Sequence, residues 1–307
     1  MLRSHLPLGA ASAASSPFLA LFLGFMMQAP PAQAEPDSIH APVQIREAID
    51  TVFAAQSCKA LPVLTDLGAP INRTVRLLST RQPVKIVAIG SSSTAGAGAS
   101  SPAYSYPSRL AAELSREFPD SPITVANEGR NGEEIPAMLA RLGTDVLARK
   151  PDLVLWQLGA NTVLRNQPVQ PNAALMEQGI DMIRQAGADV ILVDPQYAPQ
   201  MINKAGAPEM LDLIALVAKQ AHVAVVRRFD LMKDWHEKQA IPFDTFVMPD
   251  GIHMNDWGYS CFARLLRHGI AEAVNRSQSV AKAQIPRAAA SPQASPAAPP
   301  REIGLTP

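Results

Sequence analysis

A three-layer α/β/α sandwich around a mostly parallel five-stranded sheet is the fold the sequence predicts, and three observations predict it. From about Val84 to Val274, short apolar runs alternate with amphipathic stretches, the pattern of strands joined by crossover helices. The runs "VKIVAIG", "ITVAN", "DLVLWQLG", "DVILVDP" and "VAVVRRF" are apolar almost throughout, as strands buried on both faces are. Glycine, serine, asparagine and aspartate gather where several of these runs stop, and in open α/β sheets ligands bind beyond the carboxyl ends of the strands.

The chain divides into four parts. Residues 1–34 place Arg3 ahead of an apolar run from Pro17 to about Met27 and end in the small residues "AQA" at Ala34, the layout of a secretory signal. The run is shorter than the roughly 20 apolar residues that span a bilayer. The expected product is therefore a periplasmic or secreted protein beginning near Glu35, without stable membrane insertion after cleavage. Residues 35–82 form a helical N-terminal extension, in which Ile45, Ile49, Val52 and Phe53 recur at helical spacing, and which is expected to pack on the main domain. Residues 83–276 hold the sandwich, with helices expected over "SYPSRLAAELSREF", "EEIPAMLARLGTDVLARK" and "APEMLDLIALVAKQA". Residues 277–307 are rich in Ala, Pro and Ser and bury too little apolar surface to offset the entropy of ordering, so a disordered tail is expected there.

Of the 307 residues 47% are apolar, and Lys plus Arg equals Asp plus Glu at 27 each. The balance leaves no basic surplus for phosphates, so nucleic acid is not an expected partner. The two cysteines, Cys58 and Cys261, both follow the leader into a compartment where disulfides persist. A bridge and a pair of buried thiols both remain open.

The turn after the first strand, Gly90-Ser91-Ser92-Ser93-Thr94, lacks the lysine of a GxxxxGK[ST] phosphate loop and the third glycine of GxGxxG. It also lacks the flanking glycines of a GxSxG elbow. A hydroxyl-rich helix cap explains it as well as chemistry does. Asp250-Gly251-Ile252-His253 has a spacing that lets a carboxylate orient one imidazole nitrogen while the other faces outward, as a general base requires; an ordinary surface turn is the alternative. With six histidines and no HxxxH or CxxC pair, neither a metal site nor a cofactor is expected. Gly132 follows the second strand and can bring its N–H close to a reacting oxygen, and Asn161 ends the third strand with a carboxamide donor. Each is equally readable as a turn glycine or an Asx cap.

Taken in order, "GSSSTAG", "NEGRNG", "GAN" and "DGIH" resemble the four blocks of the SGNH, or GDSL-type, serine hydrolases. The resemblance covers residues 90–253 and implies a flavodoxin-like sheet. It implies Ser92 as nucleophile, His253 as base and Asp250 as its orienter. It also implies an oxyanion hole of the Ser92 N–H, the Gly132 N–H and the Asn161 side chain; spacing from Asn127 favours Gly132 over Gly129. The chain departs from the family pattern at Ser91, Thr162 and Met254, where the blocks carry Asp, Asp and Pro. Hydroxyls of Ser91 or Thr162 are expected to replace the missing carboxylate hydrogen bonds, with Thr94 also steadying the turn.

Most strand-end connections are short, apart from Asp194–Met210, which leaves little material for a lipid-holding lid. The expected activity is removal of O-acetyl or other short acyl groups from carbohydrate through an acyl-enzyme. An acylated small molecule or polysaccharide is the expected partner, with Tyr197 and Trp235 bordering the acceptor or else simply packed. A broad short-chain esterase or lysophospholipase is the competing enzyme. A carbohydrate-binding protein with a decayed hydrolase site is the competing reading of another class.

Overall fold

The computed structural model describes residues 58–284, so the leader, the cleavage site near Ala34, the helix expected around Ile45–Phe53 and the end of the tail lie outside the described residues. After a helical turn at Pro62–Thr65 the elements run α1 (Asn72–Ser79), β1 (Val84–Gly90), α2 (Ser92–Ala95), α3 (Tyr106–Glu117) and β2 (Ile123–Gly129). They continue with α4 (Ile135–Arg141), β3 (Leu153–Gln157), α5 (Ala160–Leu164), α6 (Asn172–Gln185) and β4 (Asp189–Val193). Last come α7 (Gly206–Ala221), β5 (Ala224–Val226), α8 (Arg228–Lys233) and α9 (Asp256–Gln284).

The five strands lie in the order β2-β1-β3-β4-β5, every neighbour parallel. β3 is buried at all five positions, which explains why its sequence lacks polar alternation. From β1 the chain steps outward to β2, then returns past β1 to β3. Crossovers keep one hand, so this reversal sends the connecting helices to opposite faces. In agreement, α9 packs on α3 and α1, while α4, α6 and α7 pack in a row. The reversal opens a crevice between the carboxyl ends of β1 and β3, and Ser92 and Asn161 stand just beyond those two ends.

The part of the N-terminal extension that is described belongs to the core. Leu67, Ile71, Val75 and Leu78 are buried, Val225 N–H donates to Leu67 O at 3.0 Å, and Thr74 donates to Asp189 through its N–H at 2.7 Å and its hydroxyl at 2.8 Å. Cys58 and Cys261 form a disulfide, which ties this segment to α9 and settles the choice left open by the sequence.

Two expectations are corrected. The stretch read as one helix from Glu133 to Lys150 is broken: α4 gives way to a wider π turn at Leu142–Val146 and a 3-10 turn at Leu147–Arg149. Gly143 sits in the break, and glycine is a weak helix former. The first residues of the tail expected from Ser277 are helical instead, because α9 continues to Gln284. Its Ser-Gln-Ser-Val-Ala-Lys-Ala-Gln end contains no proline, so nothing stops a helix already nucleated by the packed turns before it.

Candidate active site

The turn that ends β1 is organised from below by a residue the sequence reading passed over. Gln157, the last residue of β3 and 1% exposed, accepts at Oε1 from the Ser91 N–H at 2.8 Å and the Ser91 hydroxyl at 3.0 Å. The Thr94 hydroxyl donates to the same oxygen at 3.2 Å. Ser91 and Thr94 thus steady the turn as expected, with a carboxamide from the neighbouring strand as the shared acceptor. Thr162 does not contribute: its hydroxyl is buried without a hydrogen-bond partner among the described residues. A glutamine closing an otherwise apolar strand, as in "LVLWQ", was the available signal, since a buried carboxamide demands partners.

Ser92 begins α2 and stands half-buried over the crevice. His253 Nε2 lies 2.8 Å from Ser92 Oγ, and His253 Nδ1 lies 2.6 Å from Asp250 Oδ2. Burial pushes the Asp250 carboxyl up, but N–H groups of His253 and Ile252, with the His253 ring, outweigh it and hold the carboxyl below its ordinary value. An ionised carboxylate only accepts, so the proton sits on Nδ1 and Nε2 is left to accept from the Ser92 hydroxyl. Oδ1 of the same carboxylate accepts from the Ile252 N–H at 2.9 Å and the His253 N–H at 3.0 Å. The turn therefore folds around its own aspartate.

The loop that follows α2 locks to the histidine segment. The Tyr259 hydroxyl donates to Ala97 O at 2.6 Å, and the Ser100 N–H donates to Asp256 Oδ1 at 2.8 Å. These bonds join sequence regions more than 150 residues apart and fix the distance between Ser92 and His253.

The other candidates stand at or just beyond the carboxyl ends of β2 and β3. Gly129 pairs with Gly90 across the sheet, and a Cβ on Gly129 would lie 2.1 Å from Ala95 N. Gly129 is thus a packing position beneath α2. Gly132 has φ +75°, a left-handed backbone that suits glycine. Its carbonyl accepts from Arg165 Nη2 at 2.9 Å, and Arg165 in turn pairs with Glu134. Asn161 Nδ2 donates to Glu133 O at 2.8 Å, which draws α5 against the Gly132 loop and leaves a second amide N–H for a ligand. Ser92 and Gly132 flank the same carboxyl edge as Asn161, and Ser92 has an N–H in the first turn of α2, where no helical partner exists. Such an arrangement can transfer a proton from hydroxyl to imidazole and surround a developing oxyanion with donors.

The two uses left open for Tyr197 and Trp235 are decided in favour of packing. Trp235 is fully buried and Tyr197 is 8% exposed. Tyr197 packs on Phe229 and Phe243, and Trp235 on Phe246 and Trp257. They form a packed aromatic cluster, because the two large apolar rings gain more from mutual burial than from facing water. Among the described residues, no group of three His, Cys, Asp or Glu side chains is arranged to hold a metal ion, and no helix is long and apolar enough to cross a membrane.

Comparison with known proteins gives consistent relatives. The profile of a non-GDSL lipase-like family matches residues 57–276. An arylesterase from Vibrio mimicus is 28% identical over 149 residues, covering 48% of this chain and 70% of that protein. Among solved structures, a two-domain esterase active on acetylated mannans, co-crystallised with mannopentaose, superposes with a TM-score of 0.58 at 18% identity over 67% of this chain. This chain spans 55% of that protein's length. An acetylxylan esterase from Geobacillus stearothermophilus superposes with a TM-score of 0.53 at 20% identity, over 61% of this chain and 94% of that one.

Proposed function

The chain belongs to the non-GDSL lipase-like family, and from that premise we propose that it is an exported serine esterase that removes O-acetyl or similarly short acyl groups from carbohydrate. The observation that carries this reading is the continuous chain Ser92 Oγ, His253 Nε2, His253 Nδ1, Asp250 Oδ2, with contacts of 2.8 and 2.6 Å. Ser92 is the nucleophile: its oxygen attacks the ester carbonyl carbon while His253 Nε2 takes the hydroxyl proton. Asp250 stabilises the imidazolium that forms. The Ser92 N–H, the Gly132 N–H and the second Asn161 N–H donate to the tetrahedral oxyanion. The imidazolium then gives its proton to the departing alcohol, and water, activated by His253, releases the acid from Ser92.

Substrate class is supported by the two fold relatives that act on acetylated mannans and on acetylxylan. Export is supported by the leader-like residues 1–34 and by the Cys58–Cys261 disulfide, a bond that persists in oxidising compartments.

The test is acyl release by the purified protein and by Ser92→Ala from p-nitrophenyl acetate, an acetylated polysaccharide and a long-chain acyl ester. Serine-dependent release from both acetyl substrates, with loss of about 10⁴-fold or more in the variant, supports the proposal. Preference for the long chain points to a lysophospholipase-type enzyme. Absence of serine-dependent turnover on all three points to a carbohydrate-binding protein.

A further inference from the structure

The turn carrying Asp250 and His253 rests on the segment that follows β4. Three successive carbonyls of the turn accept from that segment: Asp250 O from the Gln200 side chain, Gly251 O from the Gln200 N–H at 2.9 Å, and Ile252 O from Gln196 Nε2 at 3.2 Å. The first two donors lie on one exposed residue. Gln196, in contrast, is 2% exposed and reaches the carbonyl immediately before His253.

Which end of the Gln196 amide faces Ile252 is decided by Arg228. Its side chain, fully buried at the start of α8, donates from Nη2 to Gln196 Oε1 at 2.9 Å and from Nε to Asp194 O at 3.0 Å. A guanidinium only donates and a carbonyl only accepts. With Arg228 claiming the amide oxygen, the amide nitrogen must turn to Ile252 O. A cation removed from water is costly, and here its fixed charge makes the amide orientation one-way.

We infer that Gln196 and Arg228 are positioning residues for the His253–Asp250 turn: Arg228 orients the Gln196 amide, and Gln196 holds the peptide that carries His253 at the height where Nε2 meets Ser92. The inference rests on the reading of Ser92, His253 and Asp250 as the reacting set. Neither Gln196 nor Arg228 touches the substrate in this account, so their loss acts on turnover rather than on binding.

Gln196→Glu separates positioning from support of the fold. A carboxylate keeps a partner for Arg228 but presents oxygen, not N–H, to the Ile252 carbonyl. Gln196→Met removes both bonds at similar volume. With p-nitrophenyl acetate, kcat is expected to fall roughly 10- to 100-fold in each variant, the scale of a misplaced reacting group, with KM within about two-fold. The thermal midpoint of Gln196→Glu is expected to stay near wild type. The downfield proton resonance of His253 Nδ1–H is expected to shift or broaden in both. Wild-type kcat together with an unchanged resonance in Gln196→Glu overturns the inference and leaves the serine reading intact. Full turnover by Ser92→Ala in the same series overturns both.

Discussion

The two sides of the crevice are held by different means. On the Ser92–His253 side, the buried carboxamides of Gln157 and Gln196 reach Ser91 and Ile252, while Asp250, 45% exposed, accepts from the N–H groups of its own turn. On the Gly132–Asn161 side a partly buried bond from Asn161 Nδ2 to Glu133 O is joined by charged groups nearer the surface. Arg165, whose side chain is 48% exposed, grips Gly132 O and pairs with Glu134, and exposed ion pairs contribute only about 0–1 kcal/mol. A proton relay and an oxyanion hole both need their groups held in place. The contrast teaches that buried carboxamides anchor the turns before Ser92 and His253, whereas a partly exposed ion pair braces the Gly132 loop.

The largest expected effect that sharpens this comparison is on the softer side. Asn161→Ala removes the proposed oxyanion donor and the bond to Glu133 O, and kcat is expected to fall about 10²–10³-fold, read by steady-state kinetics on p-nitrophenyl acetate. A loss under about three-fold would mean that the Gly132 side works without Asn161.

A second prediction probes the buried side through stability. Burial pushes the Asp194 carboxyl up to about 7, although the Phe229 N–H and Arg228 pull it down. A carboxyl raised on folding binds its proton more tightly in the native state. Its contribution is therefore complete below the unfolded value near 4 and is lost as pH rises through about 7. Asp194→Asn, which keeps an acceptor for the Phe229 N–H, is expected to match wild type near pH 4. Its thermal midpoint should exceed wild type by several degrees at pH 8, checked by melting curves across that range. A constant difference at all pH values would break the assignment.

The smallest effect is expected at Arg165. Arg165→Gln should change kcat by no more than about three-fold, and the change should shrink further in high salt, measured at two ionic strengths. A loss as large as that of Asn161→Ala would erase the distinction between the two sides.

How much of this was legible in the sequence follows the same division. The strands were, because short continuous apolar runs bounded by turn residues and separated by longer helical stretches suit strands buried on both faces. The meeting of Ser92 with His253 and Asp250 was foreshadowed by the resemblance of "GSSSTAG" and "DGIH" to two hydrolase blocks and by the three-residue spacing of Asp250 and His253, and their roles stand as the proposal above. Gln157, Gln196 and Arg228 were not, since a buried polar residue looks like a surface one until its partners, 32 to 66 residues away, are known. Tyr197 and Trp235 were read as open to two uses, and only packing against Phe229, Phe243 and Phe246 decided between them. The end of α9 was hidden by composition: Ser277 starts a polar stretch, yet helix already in place extends across it.

The Cys58–Cys261 bridge joins positions 203 residues apart, and every strand, together with Ser92, Asp250 and His253, lies between them. The covalent backbone from Cys58 to Cys261 is consequently a closed ring. A protease that cuts one loop inside the ring opens it without releasing either piece, so a nicked molecule keeps its mass until a reductant is added.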